Sequence, residues 1–482
     1  MKIIRVFDFF GPNGFIPNGI NYNYTSDLWD NDFVIDGNYI DTFAKKYLQI
    51  SVYDCNLNIG QLSIQDVHIH DIRQNLETNT VGNPEDLYYY TITPFGNVLV
   101  ATGQDFTYHQ NKHVFDFISE RAKLYLKSKN FYLIFDYSSE GDIKPEIYYN
   151  IHQACERNEI CPSKVIIITA ATNTTQLYED YYVKEINPPK KLITTSYVWP
   201  LYAKGKETEN LVRGDTNLSF NGVTNKNSLT KVREFPTLKN REKKCLMLNR
   251  RLRPHRLIIL SLLHYDKLLD DISASFDMDL IYTADAGLDL VSGGGYNNEP
   301  YLKDVATRAK MSTGYHGLNK LKKKTVDYDD INSVWGFAFE SKEIYEKTYF
   351  SIVAETLFYE VGNYISEKTF KPIAHLHPFV IVGRPHTLKK LQQLGFKTFS
   401  DFWDESYDTI EDNSDRMVAV YSVIKKLIQL NNSGWDTIME KLFYVLEYNR
   451  NHLMKFTDTN ISNTYMKNLT KIVNNNADID LI

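Results

Sequence analysis

The stretch FYLIFDYSSEGDIKPEIYYNIHQACERNEICPSKVIIITAAT, residues 131–172, decides the fold class of the first half of the chain. FYLIFDY (131–137) is a short apolar run that reads as a buried strand, and PEIYYNIHQACER (145–157) reads as a helix. KVIIITAAT (164–172) is a second buried strand. Just upstream, HVFDFISERAKLYLKSK (113–129) carries apolar residues at helical spacing and predicts another helix. Helix, strand, helix, strand in short units is the pattern of a parallel α/β sheet. Before it, QLSIQDVHIHDI (61–72) and YYYTITPFGNVLVAT (88–102) alternate apolar runs with turn residues and predict strands and loops.

Periodicity fades over residues 184–240, where NPPKK, KGKETEN and NGVTNKNS are polar and turn-rich. A second α/β pattern follows. KCLMLN (244–249) predicts a strand, RLIILSLLHYDKLL (256–269) a helix, YFSIVAETL (349–357) a strand and its edge, and FVIVG (379–383) a strand. TLKKLQQLG (387–395) predicts a helix ended by Gly395, and two longer helices lie over 416–430 and 435–456. Residues 293–330, with GGGYNNEP and the basic run LNKLKKK, read as irregular. The expected division is an N-terminal α/β domain over 1–240, polar stretch included, and a C-terminal α/β domain over 241–482.

A chain of 482 residues is too long for one ordinary core, and 43% apolar residues supply ample material for two. A net charge of −6 gives no overall sign of a nucleic-acid binder. Cys55, Cys155, Cys161 and Cys245 fit no zinc spacing and read as reduced thiols of a cytoplasmic protein, in the host cytoplasm if the source is viral. No run approaches the length of a membrane span, and the opening MKIIRVFDFFG is interrupted by Asp8 and short for a signal peptide.

The strongest local signal is LNRRLRPHRLIILSLL, residues 248–263. A strand ends, a loop carries Arg250, Arg251, Arg253 and His255, and a helix opens between Pro254 and Arg256. A helix N-terminus is already partly positive, so arginines gathered there conflict with it unless an anion is close. A phosphate or diphosphate resolves the conflict; the alternative is pairing with distant acidic residues, or simple solvation. YISEKTFKPIAHLHPFVIVG (364–383) has the same logic, with Lys368 as the odd cation at a helix start. With Ser366 as cap, Pro372 falls beyond the first turn and kinks the helix; with Thr369 as cap, the proline is harmless.

YFSIVAETLFYEVGNYISEKTFKPI (349–373) resembles the donor-binding signature of the fucosyltransferase-type glycosyltransferases: an apolar strand, an acidic stretch, a gap, then Ser/Thr-Glu-Lys leading into a helix. Upstream, Asn249 and Arg256 match the Asn and helix-opening Arg of that family, and the resemblance covers about residues 245–385. The resemblance implies a GT-B fold, two Rossmann-like domains facing a central cleft, with the nucleotide sugar held by the C-terminal one. It implies that Arg256 and Lys368 contact the diphosphate, that Glu367 holds ribose or sugar hydroxyls, that Tyr364 lines the nucleotide pocket and that Glu355 lies beside the sugar. Arg250, Arg251 and Arg253 complete the expected donor-binding set. The family takes its general base from the N-terminal domain. Asp136 lies at the end of strand 131–137 and Glu140 and Asp142 just beyond it, with Glu140 the expected base or, alternatively, a helix cap or solvated turn residue.

The expected function is therefore a metal-independent, inverting glycosyltransferase without cofactor. It would move a sugar from a nucleoside diphosphate to a hydroxyl of a glycan, a lipid-linked saccharide or a modified nucleic-acid base, a glycan in preference to nucleic acid. Two other classes stand beside it: a non-catalytic nucleotide- or phosphosugar-binding protein, and a viral structural or host-interaction protein on the same fold. His109 and His113 have metal-ligand spacing without a third ligand, and SGGGYN (292–297) lacks the spacing of a dinucleotide fingerprint.

Overall fold

Val165–Thr169, the run VIIIT, is buried at every position, as a strand covered on both faces of a parallel sheet must be. The structure, a computed structural model, describes residues 3–7, 65–68, 71–92, most of 107–208, 219–220, 223–224, 241–249, 252–280, 295–296, 299–324 and 342–456. Glu140, Arg250 and Arg251 lie outside the described residues, as does the side chain of Asp136. The chain divides between Tyr197 and Val198 into two compact units, the second running to Thr457. Val198 and Leu201 are buried in the core of the second unit, so part of the polar stretch 184–240 that the sequence joined to the first domain packs with the second.

In the first unit the strands are β1 (Ile3–Phe7), β2 (Gln65–His68), β3 (Leu87–Ile92), β4 (Phe131–Tyr137), β5 (Val165–Thr169) and β6 (Ile193–Ser196). They form one six-stranded sheet in the order β6-β5-β4-β3-β1-β2, and every neighbouring pair is parallel. Parallel neighbours need crossovers, and the helices α1 (Glu120–Leu126), α2 (Pro145–Arg157) and α3 (Thr174–Tyr182) lie between successive strands from β3 to β6. Helix α2 buries Ile147, Tyr148, Ile151, Ala154 and Cys155, one face at helical spacing.

The second unit repeats this logic. Its strands are β7 (Lys243–Leu248), β8 (Ile272–Asp277), β9 (Lys323–Lys324), β10 (Thr348–Ala354) and β11 (Phe379–Val382), in the order β9-β8-β7-β10-β11. All pairs are parallel except the short β9 against β8. Its helices are α4 (Pro254–Tyr265), α5 (Val305–Leu321), α6 (Lys342–Glu346), α7 (Glu367–Ala374), α8 (Thr387–Gln393), α9 (Asn413–Gln429) and α10 (Asn432–Leu453). Trp435 of α10, fully buried, stacks on Tyr349 and Phe350 at 5.4 and 5.2 Å and fixes that helix on the sheet. Among the described residues no helix is long and apolar enough to cross a membrane.

Several local expectations change. Of the helix expected over 113–129, the described residues show α1 alone. Upstream of it, Lys112 and His113 pair antiparallel with Tyr108 and Thr107, and the Ile118 N–H turns back onto the Phe115 carbonyl at 3.2 Å. The helix expected to reach residue 269 stops at Tyr265, and Lys267 takes a left-handed φ of 61°. The segment expected to be irregular over 293–330 contains α5, seventeen residues long and capped by Asp304, whose carboxylate accepts from the Thr307 N–H at 2.6 Å. Gly314 and Gly317 weaken its helical signal, yet they let it lie close against α4: a Cβ on Gly314 would stand 1.8 Å from the Ser261 carbonyl oxygen. Gly395 ends α8 with φ 89°, and the Phe396 N–H closes on the Leu391 carbonyl at 3.1 Å.

Candidate functional site

In both sheets the winding direction reverses once, between β1 and β3 and between β7 and β10. Crevices outside the carboxyl ends of strands at such reversals are where open α/β sheets bind ligands. In the first unit, the residues after β1 and β3 lie outside the described set. In the second unit all of them but residues 250 and 251 are described, and they carry most of the residues singled out from the sequence.

Helix α4 opens beside this reversal. Arg253 stands at its N-cap with no side-chain cap bond, and Pro254 occupies the first turn. Arg256 is 5% exposed, and its Nη2 donates to the carbonyls of Ala354 and Glu355 at 3.3 and 3.1 Å. His255 is buried too, its Nε2 2.8 Å from the Glu355 carbonyl and its ring stacked on Phe358 at 5.5 Å. Because a carbonyl only accepts, Nε2 carries the proton. Burial, reinforced by Arg256, Arg253 and Lys368, holds the imidazole well below its ordinary pKa, so it is neutral. Burial and Arg253 bring Arg256 down to about 10, which leaves it charged at neutral pH.

Helix α7 opens on the other side of β10. Ser366 is its N-cap, the hydroxyl accepting from the Lys368 N–H at 3.3 Å. Pro372 therefore sits inside the helix, which ends two residues later at Ala374. Lys368 Nζ donates to Glu367 at 2.7 Å, to the Thr356 hydroxyl at 3.2 Å and to the Ser366 hydroxyl at 3.4 Å. Burial works to raise the Glu367 carboxyl, but Lys368 and Lys371 outweigh it and hold the group below its ordinary value. Glu367 is thus a buried carboxylate kept ionised by two lysines.

The loop between β10 and α7 is tied from several sides. Glu360 accepts from the N–H groups of Phe358 and Tyr359 at 2.8 and 3.0 Å and pairs with Arg253 at 3.2 Å. Arg416, on α9, spends its guanidinium on the carbonyls of Gly383, Ile410, Glu411 and Phe358 and on Asn413, and lies 4.4 Å from the Phe358 ring centre. Tyr364 is buried on the same loop. Asn249, one residue past β7 and 3% exposed, bonds its backbone N–H to Ser275, while neither its amide nitrogen nor its amide oxygen has a hydrogen-bond partner. An orphaned buried amide is costly and calls for an explanation.

Arg253, Arg256, Glu355, Tyr364, Glu367 and Lys368 are therefore gathered at one sheet edge, where Arg253, Arg256 and Lys368 all act on His255. Sequence reasoning did not single out Glu360 or Arg416. Neither belongs to a motif; each is defined by the loop that it holds. Among the described residues no group of three or more His, Cys, Asp or Glu is placed to hold a metal ion.

No protein-family model matches the chain, and no curated protein is similar enough in sequence to count as a relative. Among solved structures, the N-terminal domain of trehalose-6-phosphate phosphatase from Candida albicans aligns over 94% of this chain and 95% of its own, with 11% identity and a TM-score of 0.35. At that score the likeness carries no argument about fold or chemistry.

Proposed function

We propose that the chain is a GT-B-like glycosyltransferase whose second unit binds a nucleoside-diphosphate sugar between the starts of α4 and α7. The observation that carries the reading is the placement of Arg256 and Lys368. They stand in the first turns of two different helices, on either side of β10, bonded to the neighbouring residues Glu355 and Thr356. Two cations and two helix N-termini at a topological reversal fit a diphosphate, whose charge offsets their mutual repulsion. The uncapped start of α4 and the unpartnered amide of Asn249 add hydrogen-bonding capacity at the same edge.

In this reading the reaction is a direct, inverting displacement. Arg256 and Lys368 stabilise charge as it develops on the departing diphosphate, a role fixed cations fill without a metal. Glu367, ionised and buried, accepts from ribose or sugar hydroxyls. Glu140 takes the proton of the acceptor hydroxyl, which belongs to a glycan in preference to nucleic acid. A second reading, a nucleotide-binding protein without turnover, draws on the Lys368–Glu367 pair, which already neutralises one of the two cations at 2.7 Å.

The test begins with calorimetric binding of GDP, UDP and their monophosphates, followed by hydrolysis and transfer assays with the matching nucleotide sugars. The expected result is diphosphate binding stronger than monophosphate binding, with turnover. Binding without turnover in any assay supports the second reading, and absence of diphosphate binding removes both.

A further inference from the structure

Glu355 stands one residue past the end of β10 and holds the two cation-bearing helices with different parts of itself. Its backbone carbonyl accepts from the first turn of α4, from His255 Nε2 at 2.8 Å and Arg256 Nη2 at 3.1 Å. Its carboxylate, 1% exposed, accepts from the start of α7. The Ser366 N–H lies 3.1 Å from both oxygens, and the Thr369 hydroxyl donates to Oε1 at 2.6 Å. Oε2 also takes the Thr356 N–H at 3.1 Å. A buried carboxylate is tolerated only when its lone pairs are used, and here each oxygen already has two donors from the protein. That leaves it poorly disposed to bind a sugar, the role the sequence resemblance implied.

We infer that Glu355 is a positioning residue. It fixes the spacing between Arg256 and Lys368, and through that spacing it sets the preference of the site for a two-phosphate group over a single phosphate. The inference rests on the proposed reading of this edge as a diphosphate site. A pyrophosphate engages both cations at once only if their separation is held, so it gains from preorganisation. A single phosphate uses either cation alone and gains little. Removing the carboxylate frees the start of α7 to shift relative to α4, which the backbone carbonyl still holds, and the loss falls on the two-phosphate ligand.

The experiment is calorimetric titration of the full chain with inorganic pyrophosphate and with inorganic phosphate, for the parent, Glu355→Ala, Glu355→Asp, Glu355→Gln and Thr369→Val, alongside thermal melts. In Glu355→Ala and Glu355→Asp, pyrophosphate affinity should fall about tenfold, the size of a typical coupling between neighbours, and phosphate affinity should change less than about twofold. Glu355→Gln keeps an acceptor for Ser366 and Thr356 and turns its amide toward the Thr369 hydroxyl, so it should retain the parental ratio. Thr369→Val, close in shape and lacking one donor to the tether, should lower the ratio partway, and it keeps the test open if Glu355→Ala fails to fold. A parental ratio in both Glu355→Asp and Thr369→Val overturns the inference and leaves the diphosphate reading standing. Damage by Glu355→Gln equal to that by Glu355→Ala also overturns it, because the negative charge, and not the hydrogen-bonded spacing, would then set the ratio. A parent that binds no pyrophosphate removes the inference and the site reading together.

Discussion

Gly314 lies against Ser261 so closely that a side chain at residue 314 would meet the Ser261 backbone, with a Cβ 1.8 Å from its carbonyl oxygen and 2.6 Å from its carbonyl carbon. Helix α5 is thereby seated on α4, whose first turn carries Arg256. Alanine is the better helix former by about 1 kcal/mol, but a backbone obstacle cannot rotate away. Gly314→Ala is expected to destabilise the chain by about 1–3 kcal/mol, the usual range for overpacking. At Gly317 the nearest atoms belong to the His264 ring, which can turn aside, so Gly317→Ala should be close to neutral. Denaturant unfolding of both variants checks the contrast.

Arg256 and Lys368 should respond differently to substitution. On the proposed reading, Lys368→Ala removes one preformed electrostatic contact and is expected to lower turnover by about 10²–10³-fold. Arg256→Lys keeps the charge but loses the planar fork that matches two phosphate oxygens, so on the proposed reading it should also cost activity and weaken nucleoside-diphosphate binding more than monophosphate binding. Calorimetry with both nucleotides, run beside single-turnover assays, measures each effect. Unchanged diphosphate affinity in both variants would remove the cations from the site.

Low pH should loosen the second unit. His377 is 0% exposed, with Nε2 2.8 Å from the Thr348 carbonyl and Nδ1 2.8 Å from the Ser351 hydroxyl. Burial, with Arg241 nearby, lowers its pKa to about 3. The unfolded chain therefore takes up a proton near pH 6.5 that the folded chain refuses, and stability falls as pH drops from about 6.5 toward 3. At pH 5 the loss is about 2 kcal/mol for this residue, and His255 contributes in the same direction. Glu405, raised by burial to about 7, acts oppositely: its contribution is full below about 4.5 and is lost as pH rises through 7. Urea unfolding of the parent and His377→Gln at pH 7.5 and 5 isolates the histidine, and the variant should show the shallower pH dependence.

The sheets were legible where apolar runs were short and dense: 131–137, 165–169, 243–248 and 348–354 are all strands, and PEIYYNIHQACER is a helix with the expected limits. Periodicity reports burial, and these elements are buried. Helix α5 was missed because its closest approach to α4 is made by two glycines that contribute no apolar signal, which leaves Met311 and Leu318 as its buried apolar side chains. The cations at helix starts could be read because their conflict with the helix dipole is local. What holds them could not be read. Glu360 acts on the N–H groups of Phe358 and Tyr359, and Arg416 on carbonyls from four residues; both roles depend on a loop path that composition does not encode. Glu355 sits within the motif, yet its carboxylate is turned to the protein, and only the hydrogen bonds reveal it.

Arg416 gives the sharpest stability prediction. It is 1% exposed, and its donors reach the Gly383, Ile410, Glu411 and Phe358 carbonyls at 3.1, 2.9, 3.1 and 3.0 Å, with Asn413 Oδ1 at 2.5 Å. Burial, with Arg384 nearby, lowers its pKa to about 10, so the charge persists at neutral pH. Removing the side chain leaves buried carbonyls without donors and a cavity beside Phe358. Arg416→Ala is expected to cost about 3–5 kcal/mol, the range for breaking a buried charged network. Arg416→Lys should recover only part of this, since one ammonium cannot reach acceptors spread around a planar fork. The loop 355–366 should lose protection in both variants, because the Phe358 carbonyl and ring are no longer held. Hydrogen exchange read peptide by peptide separates this local release from global loss of stability. If protection of that loop falls no further than that of β7, Arg416 supports the core alone and has no part in shaping the site.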